Sequence, residues 1–257
     1  MNIINLTNIT KFYTERKLFE KASFYLQENE KVGIIGINGT GKSTLLKIIA
    51  GIEEPDDGSV IRANHVVPHY LPQNPEFDSD MTVIEAVLSQ TKEAKAGNWN
   101  LESDAKSMMT RLGITDFSQK VGELSGGQRK RLALVAALVV PCDVLLLDEP
   151  TSHLDLYAQE ALETALSQYR GAILMVCHDF YTIAGVADKV LYVRDGMVNL
   201  LAARTFRKKM YEGTFEASEL EKENRKRQLE QRIQACLEKS KTEEARNLLQ
   251  ELSENME

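Results

Sequence analysis

The sequence predicts an α/β protein built around a parallel sheet, and three observations carry that expectation. Short apolar runs alternate with helix-forming stretches from Lys31 to Leu201. One run, Lys31-Val32-Gly33-Ile34-Ile35-Gly36, passes through a glycine-rich turn directly into a helix-forming segment. Another, Asp143-Val144-Leu145-Leu146-Leu147, is apolar without alternation, as a strand covered on both faces must be.

The elements follow in order. Ser23-Phe24-Tyr25-Leu26 alternates like a half-buried strand. The Lys31–Gly36 strand leads through Gly39-Thr40-Gly41 to a helix over Lys42–Ala50, stopped by Gly51. From Met81 to Gly122, Val83, Ala86, Val87 and then Leu101, Met108, Leu112 recur at helical intervals, while Ser89–Asn100 reads as a loop. A helix over Gly126–Val140 precedes the Asp143–Leu147 strand. A helix (Leu154–Tyr169), a strand (Ala172–Val176), another helix and two short strands (Lys189–Val193, Met197–Leu201) complete the alternation, with right-handed crossovers expected.

Composition changes after about Arg204. From Glu216 onward there is no proline or glycine and a high density of charged residues. Leu229, Ile233, Cys236 and Leu237 form one apolar stripe and Ala245, Leu248, Leu249, Leu252 and Met256 another, with Ser240-Lys241-Thr242-Glu243 fitting a capping box between them. Two helices are expected here, either a functional appendage or a solvated brace for the domain.

The 257 residues suffice for one large domain plus an appendage, and 43% hydrophobic with 27% charged residues is ordinary for a globular chain. A net charge of −7 excludes a global pull toward nucleic acid or anionic membrane, though not a local basic patch. Cys142, Cys177 and Cys236 show neither pairing nor metal-ligand spacing, as expected of reduced thiols. Met1-Asn2-Ile3-Ile4-Asn5 does not read as a signal peptide, and Leu132–Leu147 is too short and too interrupted to cross a bilayer. A cytoplasmic location is the expectation.

Gly36-Ile37-Asn38-Gly39-Thr40-Gly41-Lys42-Ser43 is a complete phosphate-loop pattern. Its glycines let successive backbone N–H groups surround phosphate oxygens, and the helix that follows adds its positive N-terminus. In such a loop Lys42 reaches the β- and γ-phosphates and the Ser43 hydroxyl binds Mg²⁺. Asp148 ends the buried apolar strand, where open α/β sheets bind ligands. It is therefore expected on the Mg²⁺ side, with Glu149 as general base or water-orienting group for attack on a γ-phosphate.

Leu124-Ser125-Gly126-Gly127-Gln128 stands before a long helix and can be read in two ways. It is either a serine cap with glycines in a turn or a second anion site. One nucleotide has no use for two phosphate-binding loops in one domain, unless the second serves a neighbour's nucleotide.

In its motifs, taken in order, the chain resembles the ATP-binding-cassette (ABC) superfamily over about residues 2–203. The motifs are the phosphate loop at Gly36–Ser43, a glutamine loop at Leu71-Pro72-Gln73, the signature at Leu124–Gln128, the carboxylate strand at Val144–Glu149, the loop Ser152-His153-Leu154-Asp155 and a switch histidine at His178. The resemblance implies a P-loop NTPase with a parallel core, an antiparallel β part, a helical subdomain (about 81–140) carrying the signature, and a C-terminal helical tail (204–257). It implies ATP and Mg²⁺ held by Gly36, Asn38, Gly39, Thr40, Gly41, Lys42, Ser43 and Thr44, with the metal at Ser43, Gln73 and Asp148. Glu149, His178 and Gln73 would be catalytic, Tyr13 (with Phe12 beside it) would stack on adenine, and Asp155 would act at a dimer interface. Ser125, Gly126, Gly127 and Gln128 would face the nucleotide of a second cassette.

Leu6-Thr7-Asn8-Ile9-Thr10-Lys11, Leu71–Pro75, Leu124–Arg131 and His153-Leu154-Asp155 are most similar to the ABC-F subfamily, whose members carry two cassettes and act on ribosomes. Ser152, Cys177 and Phe180 depart from its usual Asn, Ser and Arg. A ribosome or RNA is then the candidate partner beside the second cassette. The alternative is the ATP-binding subunit of an ABC membrane transporter.

Overall fold

Two apolar layers, one on each face of a central sheet, organise the chain in the computed structural model, which describes residues 1–13, 16–90, 99–152, 154–194 and 196–211. The central sheet has the order β5-β6-β7-β3-β8-β9, from β3 (Lys31–Gly36), β5 (Pro68–Leu71), β6 (Val144–Asp148), β7 (Ala172–Val176), β8 (Lys189–Arg194) and β9 (Met197–Ala202). All neighbours are parallel except β8 and β9. A second, antiparallel sheet of β2 (Arg16–Gln27), β1 (Asn2–Tyr13) and β4 (Asp57–Arg62) completes the β structure.

The unbroken apolar runs are explained by burial on both faces. In β6, Leu145 and Leu147 join one core while Val144 and Leu146 join the other; in β7, Ile173 and Met175 separate in the same way from Ala172, Leu174 and Val176. The first core receives the helices α2 (Val83–Ser89), α3 (Trp99–Arg111), α4 (Gly126–Val139), α5 (Leu156–Gln168) and α6 (Phe180–Val186). The second lies between the central sheet, α1 (Lys42–Ala50) and the antiparallel sheet. In the first core Val83, Ala86, Val87 and Leu112 are buried against α4, Leu101 is also buried and Met108 packs half-buried on the cluster, so the helical periodicity read in this region reflects a real interior.

Several boundaries differ from expectation. β6 begins one residue later because Asp143 turns back, its carboxylate accepting from Val67 N at 2.8 Å. α5 begins at Leu156 and not at Leu154, because Asp155 caps it, accepting from Ala158 N at 2.9 Å. α2 closes at Ser89 and α3 opens at Trp99, inside the stretch read as a loop; residues 91–98 lie outside the described residues. So do His153 and the expected tail helices from Glu216 onward. The described start of the tail, α7 (Ala203–Tyr211), packs on the core. Phe206 is fully buried, with its ring 6.3 Å from that of Phe180.

Phe206→Ala should therefore destabilise the protein by about 3–5 kcal/mol, the usual cost of emptying a buried aromatic site. Urea unfolding measures this, and a loss below about 1 kcal/mol would mean that α7 is not integral to the core.

Candidate functional site

The parallel strands β3, β7 and β6 lie side by side, so the loops after them open on one edge. Gly36 is paired with Val193, Ile34 with Val176, and Val176 with Asp148. At that edge a cleft of about 480 Å³ is lined by Asn38, Gly39, Gly41, Lys42, Ser43, Thr44, Gln73, Glu149 and His178, together with Leu18 and Ser152. Most of the residues singled out in the sequence thus converge on one place.

The loop after β3 needs its glycines. A Cβ on Gly36 would stand 2.4 Å from the carbonyl oxygen of Val193, so any side chain would push β8 away. Gly41 caps α1 in the left-handed region (φ 95°) with no side-chain hydrogen bond, and α1 has no acidic residue in its first turn. This helix N-terminus presents backbone N–H groups with no competing carboxylate, the arrangement that suits an anion. Lys42, 6% exposed, donates to the carbonyls of Gly36 (2.8 Å) and Ile37 (3.1 Å). Thr40 Oγ1 donates to Ile37 O as well, at 2.8 Å.

Ser43 Oγ donates to Asp148 Oδ1 at 2.9 Å, and Tyr70 OH donates to Oδ2 at 3.1 Å. Asp148 itself is 3% exposed. Tyr70 escaped the sequence reading. Its role depends on the β5–β6 register, which sets Tyr70 opposite Leu146 and which no local pattern announces.

Glu149 occupies the left-handed region at φ 52°, a conformation that costs a non-glycine residue of order 1–3 kcal/mol and concentrates at working sites. Its amide donates to Val176 O at 3.0 Å, which ties this turn to β7. Burial pushes its carboxyl up to about 7, against the opposing pull of the Lys42 ammonium. Burial, then Lys42, holds His178 down at about 4. At neutral pH the imidazole is therefore uncharged, and its Nε2 lies 3.0 Å from Glu149 Oε1, within hydrogen-bond reach of the carboxyl group. Ser152 Oγ donates to Glu149 O at 2.8 Å and steadies the same turn.

The signature segment lies elsewhere. Gly126 and Gly127 line a second, separate cleft of about 740 Å³ with Asn74, Arg129, Lys130 and Asp155; Gln73 lines both clefts. Ser125 is the N-cap of α4: its hydroxyl accepts from Gln128 N (3.3 Å), and its own amide donates to Gln128 Oε1 (2.9 Å). The capping reading of this segment is therefore observed, and the segment also faces solvent with a hydroxyl proton left to donate. Asp155 accepts from Ala158 N and pairs with Arg131 of α4 at 3.5 Å. Lys130, 3% exposed, donates to Gln73 O (2.8 Å) and Asp148 O (3.4 Å), and burial lowers its pKa. Tyr13 stands at the end of β1, 53% exposed and outside the cleft lining, as does its neighbour Phe12, whose amide donates to Asp56 at 2.7 Å.

The ABC transporter family profile matches residues 19–152, just over half of the chain and all of the cleft's phosphate loop and carboxylate strand. This chain belongs to the ABC transporter family. Within it, the cassette is close to ABC-F members. It is 40% identical to ABC transporter F family member 2 of Arabidopsis thaliana, with 76% of this chain and 29% of that protein covered. It is 38% identical to the energy-dependent translational throttle protein EttA of Haemophilus influenzae, covering 83% of this chain and 37% of that one. The cassette thus spans roughly a third of the length of these relatives. Among solved structures, an ATP-binding subunit of an ABC transporter superimposes with a TM-score of 0.72 at 21% identity, over 81% of this chain and 93% of that chain, which supports the fold. Among the described residues of this cassette, no helix is long and apolar enough to cross a membrane.

Tyr70→Phe should cost about 1–3 kcal/mol, because it leaves one oxygen of a buried carboxyl group short of a donor. An unchanged denaturant midpoint would show that Tyr70 does not support Asp148.

Proposed function

We propose that this cassette binds ATP with Mg²⁺ in the cleft at the carboxyl ends of β3, β6 and β7, and hydrolyses it when paired with a second cassette. The observation that carries the proposal is the contact of Ser43 Oγ with Asp148 Oδ1 at 2.9 Å, beside an uncapped helix N-terminus and the Glu149–His178 pair. A hydroxyl and a carboxylate are hard oxygen donors suited to Mg²⁺, which keeps several waters and takes its remaining ligands from substrate phosphates. Among the described residues there is no cluster of three or more His, Cys, Asp or Glu side chains that could hold a metal, which fits an ion bound largely through its nucleotide. Bound there by Ser43, Asp148 and Gln73, Mg²⁺ would neutralise charge on the phosphate oxygens.

The residues act as follows. Gly36, Asn38, Gly39, Thr40, Gly41 and Thr44 belong to the loop and first helical turn that cradle the phosphates. Lys42 exchanges the carbonyls of Gly36 and Ile37 for phosphate oxygens. Glu149, whose carboxyl is held near neutrality by burial, takes the proton of the attacking water, and neutral His178 donates a hydrogen bond that orients it. Gln73 contacts the same water, and Tyr13 or Phe12 covers the adenine. Glu149→Gln keeps shape and hydrogen bonding without basicity. It should leave ATP affinity intact and slow turnover by about 10²–10⁴-fold in a steady-state phosphate-release assay. Wild-type turnover in that variant would remove Glu149 from the role.

The separation of the two clefts supports pairing. Ser125, Gly126, Gly127 and Gln128 complete the phosphate site of a neighbouring cassette, and Asp155 lies at the same interface. Similarity to proteins named ABC transporter F family member 2 and translational throttle protein supports translation as the process served, with the ribosome or its RNA as partner. With Mg²⁺ and ATP, Glu149→Gln should elute as a dimer in size-exclusion chromatography. Adding Ser125→Arg should abolish the dimer by filling the place of the phosphate. A dimer that forms equally with ADP, or survives Ser125→Arg, would contradict the shared site.

A further inference from the structure

Lys130 has no contact with phosphate, metal or water in the chemistry above, yet it is the most deeply buried lysine among the described residues, 3% exposed against 6% for Lys42. Its ammonium donates to main-chain carbonyls from two separate parts of the chain: Gln73 O at 2.8 Å and Asp148 O at 3.4 Å. Gln73 lines the phosphate cleft, and Asp148 is the carboxylate at the end of β6. Lys130 itself belongs to α4, one turn beyond its N-terminus.

Residues three and four apart share a helix face. Lys130 therefore projects from the face that carries Gly126 and Gly127, and all three line the second cleft together with Gln73 and Asp155. A buried ammonium is costly to leave without acceptors, which penalises any rearrangement that breaks this contact. A displacement of the Gln73 carbonyl is then passed to α4 and changes where the Gly126 and Gly127 N–H groups point.

We infer that Lys130 is a positioning residue that couples occupancy of the phosphate cleft to the orientation of the signature end of α4, through the Gln73 carbonyl. The inference rests on the ATP-binding reading above. A lysine that served packing alone would be replaceable by an apolar residue of the same length, since buried charges often yield to hydrophobic isosteres without loss of stability. Lys130→Met makes that replacement and removes the donors; Lys130→Arg keeps donors at the same place.

Hydrogen exchange of the 257-residue chain, kept dilute enough to elute as a monomer in size-exclusion chromatography, with and without Mg²⁺ and the non-hydrolysable analogue AMP-PNP, tests it. In the wild type, AMP-PNP should protect amides of residues 38–44, 73–74 and 126–129 together. In Lys130→Met, protection of 38–44 should persist while that of 126–129 is lost, and Lys130→Arg should restore it. Steady-state kinetics should show kcat falling by about 10-fold or more with KM within about twofold, a coupling loss of ordinary size. Unchanged ADP affinity will show that the variant is folded; if Lys130→Met does not fold, Lys130→Leu, which also lacks a donor, carries the same expectation. Absence of protection at 38–44 in the wild type would overturn the ATP-binding reading, and this inference with it. With that protection present, protection of 126–129 that is absent in the wild type, or survives Lys130→Met undiminished, overturns the role of Lys130 alone.

Discussion

Burial of the parallel strands on both faces is the constraint from which the site follows. β3, β6 and β7 send alternate side chains into two separate cores, so none of them can shift register without exposing apolar surface on one side and inserting the wrong residues on the other. Register held in this way puts the ends of β6 and β7 level, with β3 running two residues further to Gly36. Polar groups that the interior would reject are consequently gathered in the loops just beyond the carboxyl edge, where Lys42, Asp148, Glu149 and His178 meet.

The groups at that edge are satisfied by local partners that a polyanion could replace. Lys42 rests on two loop carbonyls, and the first turn of α1 has no side-chain cap. The N-terminus of α4, by contrast, is already engaged by its own capping box. This difference separates two sites of similar composition. The first has donors resting on loop carbonyls beside an uncapped helix N-terminus; the second has a helix N-terminus whose capping groups are already bonded to one another. The strained backbone at Glu149 belongs to the same logic, since its amide is anchored to β7 and its neighbour Asp148 is held by donors from α1 and β5.

Electrostatics reinforce the geometry. Burial moves Glu149 and His178 in opposite senses, one carboxyl raised to about 7 and one imidazole lowered to about 4, so that at neutral pH an uncharged imidazole faces a carboxyl poised near its own titration. Two lysines, Lys42 and Lys130, both pull Glu149 down, and without them burial would leave it still more reluctant to ionise.

By itself the sequence determined β3 and α1 to the residue, because Gly36 and Gly51 punctuate them, and it named nearly every side chain that lines the phosphate cleft. It read β6 and β7 from their apolar runs. It did not show β1, whose pairing with β2 is broken by register shifts that erase strict alternation, or β4, which is exposed along almost its whole length, nor the true start of α5, which the Asp155 cap decides. Tertiary structure alone decided what Tyr70 and Lys130 do, because their partners lie 78 and 57 residues away and become neighbours through sheet register and the docking of α4. Local pattern reports what a segment's own backbone and burial require. A hydrogen bond across the fold depends on where two segments come to rest, which follows from the packing of the whole core.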